Sequence, residues 1–61
     1  MKLMNYIVKC KAVKIQNRIV DIDSAYKYVV KGLNNGVSEV NIAKTISVEI
    51  DNQFIKLNSI L

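Results

Sequence analysis

The stretches VKIQNRIVDIDSA (residues 13–25) and VEIDNQFIKLNSI (residues 48–60) are nearly copies of each other, 35 positions apart. When both are extended six residues upstream, six of the 19 aligned positions are identical. In each copy, apolar residues alternate around a residue pair that tolerates a tight turn, Gln16-Asn17 or Asp51-Asn52. The pattern predicts one β-hairpin in each half of the chain. Duplication and the shared pattern of any two hairpins both account for the similarity, and they predict the same structure.

The first hairpin is predicted to contain a long strand over residues 6–15 and a shorter strand over residues 18–22. The alternation of apolar residues changes phase near Ala12, which predicts a β-bulge because one extra residue restores the phase. With that bulge, the lysines of the hairpin face away from the core. The residues then predicted to face the core are Val8, Cys10, Val13 and Ile15 in the first strand, and Val20 and Ile22 in the second.

A helix is predicted to follow the first hairpin. Asp23 and Ser24 belong to the residue types that cap helix N-termini, and apolar residues then recur at intervals of four on one face. The sequence NNG predicts the end of the helix, with Gly36 in a left-handed conformation. The residues on the apolar face are Ala25, Val29 and Leu33.

Residues 40–50 are predicted to form a strand, because valine and isoleucine occupy alternate positions with Lys44 as the one interruption. A turn at Asp51-Asn52 and a last strand complete the order ββαββ. This is an α+β fold in which two similar hairpins flank one helix, as an antiparallel sheet or a dimeric swapped-hairpin barrel. A helix-turn-helix over residues 38–50, with IAKTISV at its turn, is the alternative, but the β-branched residues favour a strand.

The size of the chain predicts a single small domain, residues 1–61, with a modest core. Such domains usually need a disulfide, a metal or self-association for support. With one cysteine and no histidine, neither an intrachain disulfide nor a zinc site can form, so we expect a homodimer. No targeting segment or apolar run of membrane-spanning length is visible, and a lone cysteine suits a reducing compartment. We therefore expect a cytoplasmic protein without a membrane partner.

Positive charge is concentrated in the first half of the chain. Residues 1–31 hold seven lysine and arginine residues against two aspartates, a net charge of +5, whereas residues 32–61 hold two lysines against three acidic residues. A basic surface of this kind suits an anionic partner, although solvated charge is the alternative explanation. The candidate nucleic-acid-binding residues are Lys9, Lys11, Lys14 and Arg18 in the first hairpin, and Lys27 and Lys31 in the helix.

The sequence offers little for catalysis. Without histidine the usual general base near neutral pH is missing, and Cys10 lies at a position predicted to face the core. The sequence GLNNG follows a helix instead of opening one, so it is not a phosphate-binding loop. We expect no enzymatic activity, no catalytic residue, no metal and no cofactor.

The succession of a strand, a turn, RIVDI, a helix and ISVEIDNQFIKL resembles the swapped-hairpin DNA-binding domains of AbrB-type transition-state regulators and MazE-type antitoxins. The matching segments are residues 7–9, 18–20 and 46–57. The resemblance implies a homodimer whose hairpins interlock into one barrel, and a transcriptional regulator or antitoxin-like factor. It also implies that DNA is bound by basic residues of the first hairpin and the helix. These residues correspond to Lys9, Arg18, Lys27 and Lys31.

A different class of function is also compatible with the sequence. Small basic α+β proteins occur in phages and mobile elements, where some bind and inhibit or modulate a host protein. Aromatic residues dominate the binding energy of such interfaces, although each is more often part of the core. The candidate anchors are Tyr6, Tyr26, Tyr28 and Phe54.

Overall fold

The computed structural model describes residues 2–60, which form an α+β fold with a four-stranded antiparallel sheet. The helices are α1 (Lys2–Ile7), α2 (Ile22–Asn34) and α3 (Glu39–Ala43), with a 3₁₀ turn at Leu57–Ser59. The strands are β1 (Val13–Ile15), β2 (Arg18–Val20), β3 (Ile46–Ile50) and β4 (Gln53–Lys56). The α+β class and the antiparallel sheet predicted from the sequence are confirmed, while the order of elements contains helices that the sequence pattern did not predict.

The two hairpins lie side by side in one sheet, in the strand order β2-β1-β3-β4. Val13 of β1 pairs with Val48 of β3, and these residues are separated by the same 35 positions as the two copies in the sequence. Antiparallel pairing of equivalent residues creates a local two-fold axis. The residue pairs within the two hairpins are also equivalent. Lys14 pairs with Ile19 in the first hairpin, and the residues 35 positions later, Glu49 and Phe54, pair with each other in the second. The repeated sequence is therefore a repeated structure, with its two copies related by a two-fold axis that passes between Val13 and Val48.

Both hairpin turns require a positive φ. Gln16 and Asn17 have φ angles of 50° and 68°, and Asp51 and Asn52 have φ angles of 51° and 66°. Two central residues with positive φ define the tight turn whose twist matches that of the flanking strands. The predicted turns at Gln16-Asn17 and Asp51-Asn52 are both present in the structure.

Asn52 allows a direct test of this geometry. Replacing Asn52 with glycine is expected to leave the free energy of unfolding unchanged or slightly raised, because glycine adopts a positive φ freely. Replacing it with valine is expected to cost about 1–2 kcal/mol, because a β-branched residue resists that conformation. Urea unfolding measures both values, with Gln53→Val in the adjacent strand as the control. If Asn52→Val is as stable as the control, the turn does not have this conformation.

The sheet has one covered face and one open face. On the covered face, buried side chains of all three α-helices pack against the sheet in a single core. The buried core residues are Leu3, Ile7, Val13, Ala25, Val29, Ile42, Ala43, Ile46, Val48 and Leu57. Strand parity places Lys14, Ile19, Ser47, Glu49, Phe54 and Lys56 on the other side, here called the open face. None of these six side chains is buried.

The long first strand predicted over residues 6–15 is wrong, because Lys2–Ile7 forms α1 and only Val13–Ile15 is extended. Leu3 and Ile7 lie four residues apart on one side of α1, and both are completely buried. Val8, which the predicted strand placed in the core, is 51% exposed. The chain joins the sheet only at β1, so no bulge is needed near Ala12.

The strand predicted over residues 40–50 is correct only in its second half. Ser38 accepts a hydrogen bond from the Asn41 backbone N–H at 3.2 Å, which caps α3, and Lys44 marks the end of that helix. Ile46–Ile50 then forms β3, so the alternative of a helix-turn-helix over residues 38–50 is wrong as well. An N-cap and one buried helical face outweigh the β-branched residues of this segment.

The start of α2 differs from the sequence prediction by two residues. Asp21 caps the helix by accepting hydrogen bonds from the Ser24 backbone N–H at 3.1 Å and the Ser24 hydroxyl at 2.6 Å. These hydrogen bonds lower the pKa of Asp21. Ile22, predicted to be in the second strand, is consequently the first residue of the helix. Ala25 and Val29 are buried as predicted.

Candidate nucleic-acid interface

The structure distributes the six predicted basic residues over different parts of the surface. Lys9 and Lys11 lie in the loop between α1 and β1 and line one open cavity together with Glu49 and Asp51. The carboxylates beside them offset part of their positive charge. This loop is therefore not a purely basic surface.

Lys14 and Arg18 belong to the first hairpin but face different directions. Lys14 lies on the open face, where its Nζ is 4.1 Å from the centre of the Phe54 ring, within the range of a cation–π contact. Arg18 pairs with Ile15 on the edge strand β2, which gives it the opposite parity, and its side chain is exposed.

Lys27 and Lys31 lie one turn apart on the outer side of α2. Lys27 forms an ion pair with Asp23 at 3.2 Å, and both side chains are largely exposed. The opposite side of α2 packs on the covered face of the sheet through Ala25 and Val29. Lys14 therefore lies on the other side of the sheet from Lys27 and Lys31, and the six residues do not form one continuous surface.

A second arrangement, which the sequence analysis missed, joins α2 to α3 through a short turn. The Val37 N–H donates to the Gly32 carbonyl at 3.0 Å and the Gly36 N–H donates to the Leu33 carbonyl at 3.0 Å. These two bonds form a Schellman motif, and Gly36 has the left-handed φ of 82° that the motif requires. Ser38 then caps α3 directly. Two helices joined by a four-residue turn containing glycine have the order and turn length of a helix-turn-helix.

Gly32 allows α2 and α3 to approach closely. A Cβ atom at this position would lie 2.9 Å from Cδ1 and 3.1 Å from Cγ1 of Ile42, so a larger side chain would press on the first buried residue of α3. Ile42 in turn packs in the core. One pattern in the sequence could have located this unit. Two glycines, Gly32 and Gly36, are followed by the helix-capping residue Ser38 and then by the buried Ile42.

Exposed polar and basic residues surround α3. Lys31 of α2 and Asn35, the C-cap of that helix, line a shallow groove together with Asn41 and Thr45. Thr45 is fixed there, because its hydroxyl donates to the Ile42 carbonyl at 2.8 Å and lies 2.9 Å from the Tyr28 hydroxyl. Lys56 reaches the end of α3, where its Nζ donates to the Lys44 carbonyl at 3.2 Å. These residues define the α2–α3 surface, which consists of Lys31, Asn35, Asn41, Lys44 and Lys56.

No protein-family model, curated protein or solved structure matches this chain.

Cys10 is half-buried next to α1. Its thiol donates a hydrogen bond to the Tyr6 carbonyl at 3.2 Å, and burial raises the pKa of the Cys10 thiol. The sulfur is therefore protonated at neutral pH and packs against the core as a small apolar group.

Across residues 2–60, no three side chains of the metal-ligating types come together. None of the helices in the same range is long and apolar enough to cross a membrane.

The four candidate aromatic anchors divide into two pairs. Tyr6 and Tyr28 are half-buried and pack against the core, so they contribute to the fold. Tyr26 and Phe54 are exposed, Tyr26 on the outer side of α2 and Phe54 on the open face. The exposed pair therefore lies on opposite sides of the sheet.

Proposed function

We propose that this chain is a small basic DNA-binding protein, a transcriptional regulator or antitoxin-like factor that acts as a homodimer. The observation that carries the proposal is the unit formed by α2, the turn at Gly36 and α3, which presents exposed lysine and asparagine side chains. In helix-turn-helix proteins the second helix enters the major groove and the first crosses the backbone. In this chain α3 corresponds to the second helix.

The residues of the α2–α3 surface suit different parts of a duplex. Lys31 and Lys44 can contact phosphates, which supply affinity and fix the orientation without reading sequence. Asn41 is exposed on α3, and an asparagine amide can bond the N6 and N7 atoms of adenine in the major groove. Lys27 extends the basic side of α2, although its ion pair with Asp23 reduces its effect. Because the lysines would contact phosphates and Asn41 would contact a base, lysine and asparagine variants are expected to change binding in different ways.

Lys31→Ala and Lys44→Ala are each expected to weaken binding to any duplex to a similar extent. The slope of log affinity against log salt should fall by about 0.9 for each lost phosphate contact. Fluorescence anisotropy with a mixed-sequence duplex, between about 50 and 200 mM salt, measures this slope. Asn41→Ala should leave the slope unchanged and relax sequence preference by about 1–3 kcal/mol at one base pair.

Lys11→Ala removes the same charge from the loop beside Glu49 and Asp51, and is the matched control. It is expected to change the slope less than Lys31→Ala does. If Lys9→Ala, Lys11→Ala, Lys14→Ala and Arg18→Ala lower the slope and Lys31→Ala does not, the first hairpin is the binding surface instead. Absence of binding by the unaltered protein at about 50 mM salt would eliminate the DNA proposal altogether.

The homodimer part of the proposal rests on the small core of a 61-residue chain without an intrachain disulfide. In the interlocked barrel implied by the resemblance, the hairpins of two chains would exchange places. Within this chain the two hairpins already pair with each other through β1 and β3. An exchanged barrel would therefore have to open that pairing first, whereas a dimer of intact sheets would not.

Binding to a host protein is the second candidate function, and one observation favours it. Val37 and Val40 are 42% and 61% exposed at the turn and on the outer side of α3. Exposed aliphatic residues beside a groove are typical of surfaces that bind protein, and Tyr26 lies exposed on the neighbouring helix. Capture from lysate with and without nuclease separates the two functions, because a protein partner survives removal of nucleic acid.

A further inference from the structure

Within residues 2–60, no helix packs on the open face of the sheet. All the buried residues of α1, α2 and α3 belong to the single core on the other side. The large apolar side chains on the open face are Ile19, which is 70% exposed, and Phe54, which is 36% exposed. Exposed aliphatic and aromatic groups on a sheet face can pack against a second sheet, while the charged residues among them must find partners there.

The local two-fold axis between Val13 and Val48 relates positions on the open face in a specific way. It exchanges Ile19 with Phe54, so apolar side chains occupy equivalent sites in the two hairpins. It also exchanges Lys14 with Glu49, so the charge is inverted between equivalent sites. The two hairpins therefore carry apolar residues at equivalent positions of the open face, and charges of opposite sign at another pair of equivalent positions.

We infer that the open face is where a second copy of this chain docks, with the two sheets face to face. In a symmetric dimer every contact between two different residues occurs twice. If residue i of the first copy contacts residue j of the second, then residue j of the first copy contacts residue i of the second. When positions related by the local axis face each other, Lys14 opposes Glu49 of the second copy and Ile19 opposes Phe54 of the second copy, each contact being made twice. This inference rests on the homodimer part of the proposed function and not on its DNA-binding part.

Among the described side chains of one copy, Lys14 and Glu49 do not form an ion pair with each other, so both charges are available to a second copy. Across residues 2–60, the ion pair within 4.0 Å is Lys27–Asp23, so Glu49, which lines a cavity together with Lys9 and Lys11, is not in an ion pair of that length with a described side chain. Lys14 lies over Phe54, which keeps its ammonium group above the middle of the open face. A face carrying the same charge at both positions would repel its own copy, whereas Lys14 and Glu49 are complementary. Lys56, the third charged residue of the open face, lies on the edge strand β4, where its Nζ donates to the Lys44 carbonyl.

The geometry of the face sets the strength and the orientation of the dimer. Four short strands span about 19 Å and present six side chains, so the buried area is below that of stable specific interfaces and suits a weak association. We expect a dissociation constant of about 10⁻⁴ M, and we expect it to rise as the salt concentration increases. Because the paired positions lie on a diagonal of the sheet, the strands of the two copies cross steeply. Lys31, Asn35, Asn41 and Lys44 of the α2–α3 surface lie on or next to the helices of the covered face and stay accessible in such a dimer, whereas Lys56 lies at the edge of the interface.

Charge reversal at the two positions tests the interface. Lys14→Glu alone and Glu49→Lys alone each place like charges opposite each other twice, and each is expected to weaken the dimer at least about tenfold. The double variant Lys14→Glu/Glu49→Lys should regain the affinity of the unaltered protein. An equal mixture of the two single variants should form a mixed dimer in which every facing pair is attractive. Sedimentation between about 10 µM and 1 mM measures all four states.

Lys31→Glu on α2 is the matched control, because it changes the charge equally on the opposite side of the sheet. It should leave the dimer unchanged and should weaken DNA binding, so the two proposals fail separately. Circular dichroism and amide NMR spectra verify that each variant is folded. The inference is overturned if the protein stays monomeric up to about 1 mM, or if the two single variants do not associate when mixed. A dimer that both single reversals leave intact also overturns it, and points to exchanged hairpins.

Discussion

Replacing Ile7 with alanine is expected to lower the free energy of unfolding by about 2–5 kcal/mol, because the side chain is completely buried. A chain of 61 residues has an unfolding free energy of about 3–9 kcal/mol. The expected loss is therefore a large part of the total stability, and the urea concentration at the unfolding midpoint should fall accordingly. The loss is large because Ile7 and Leu3 connect α1 to the core.

Val8→Ala is the matched control for this change. Val8 follows Ile7 directly and is half exposed, so its truncation is expected to change stability by less than about 0.5 kcal/mol. Urea unfolding followed by circular dichroism measures both variants. The two positions also distinguish the helix from the strand predicted over residues 6–15, in which Val8 faces the core. A larger loss at Val8 than at Ile7 would therefore support the strand and contradict α1.

The hairpins could be predicted from the sequence because their information is local. Asn17 and Asn52 allow the positive φ of the turns, and alternating apolar residues next to them set which side faces the core. The offset of 35 positions also anticipates the Val13↔Val48 pair, since two equivalent hairpins meet most simply through equivalent strands. Neither feature depends on distant parts of the chain.

The first helix could not be predicted, because nothing local identifies it. α1 has no acidic residue in its first turn and no basic residue in its last, so the usual charge signals are missing. Its sequence runs directly into residues 8–15, where the alternation of apolar residues is typical of a strand. Burial of Leu3 and Ile7 against the sheet decides the helix, and that contact exists only in the folded protein.

The α2–α3 surface was missed for a related reason. Val40 and Ile42 disfavour a helix locally, and they continue the alternation of Ile46, Val48 and Ile50 that is typical of a strand. The cap at Ser38 and the close contact between Gly32 and Ile42 reverse this preference. Among the basic residues, the pattern identified Lys27 and Lys31 on one helix, but it could not show that Lys14 lies on the far side of the sheet.

Ile42→Ala is expected to cost about 2–5 kcal/mol, whereas Val40→Ala should change the free energy of unfolding by less than about 0.5 kcal/mol. Ile42 is 3% exposed and packs between α2 and the sheet, while Val40 faces solvent from the other side of α3. In a strand over residues 40–50 the two side chains would lie on the same face, and both substitutions would be costly. Urea unfolding of the two variants thus distinguishes a helix from a strand at this segment.

The same pair connects the fold to the proposed function. Ile42→Ala should weaken DNA binding only by reducing the folded fraction, so affinity corrected for that fraction stays near that of the unaltered protein. Val40→Ala keeps the fold, so any change in binding reports a contact made by the outer side of α3. Loss of a protein partner with unchanged DNA affinity would assign this side to protein binding. If Val40→Ala destabilises the protein as much as Ile42→Ala does, α3 is not a helix, and the α2–α3 surface cannot exist as described.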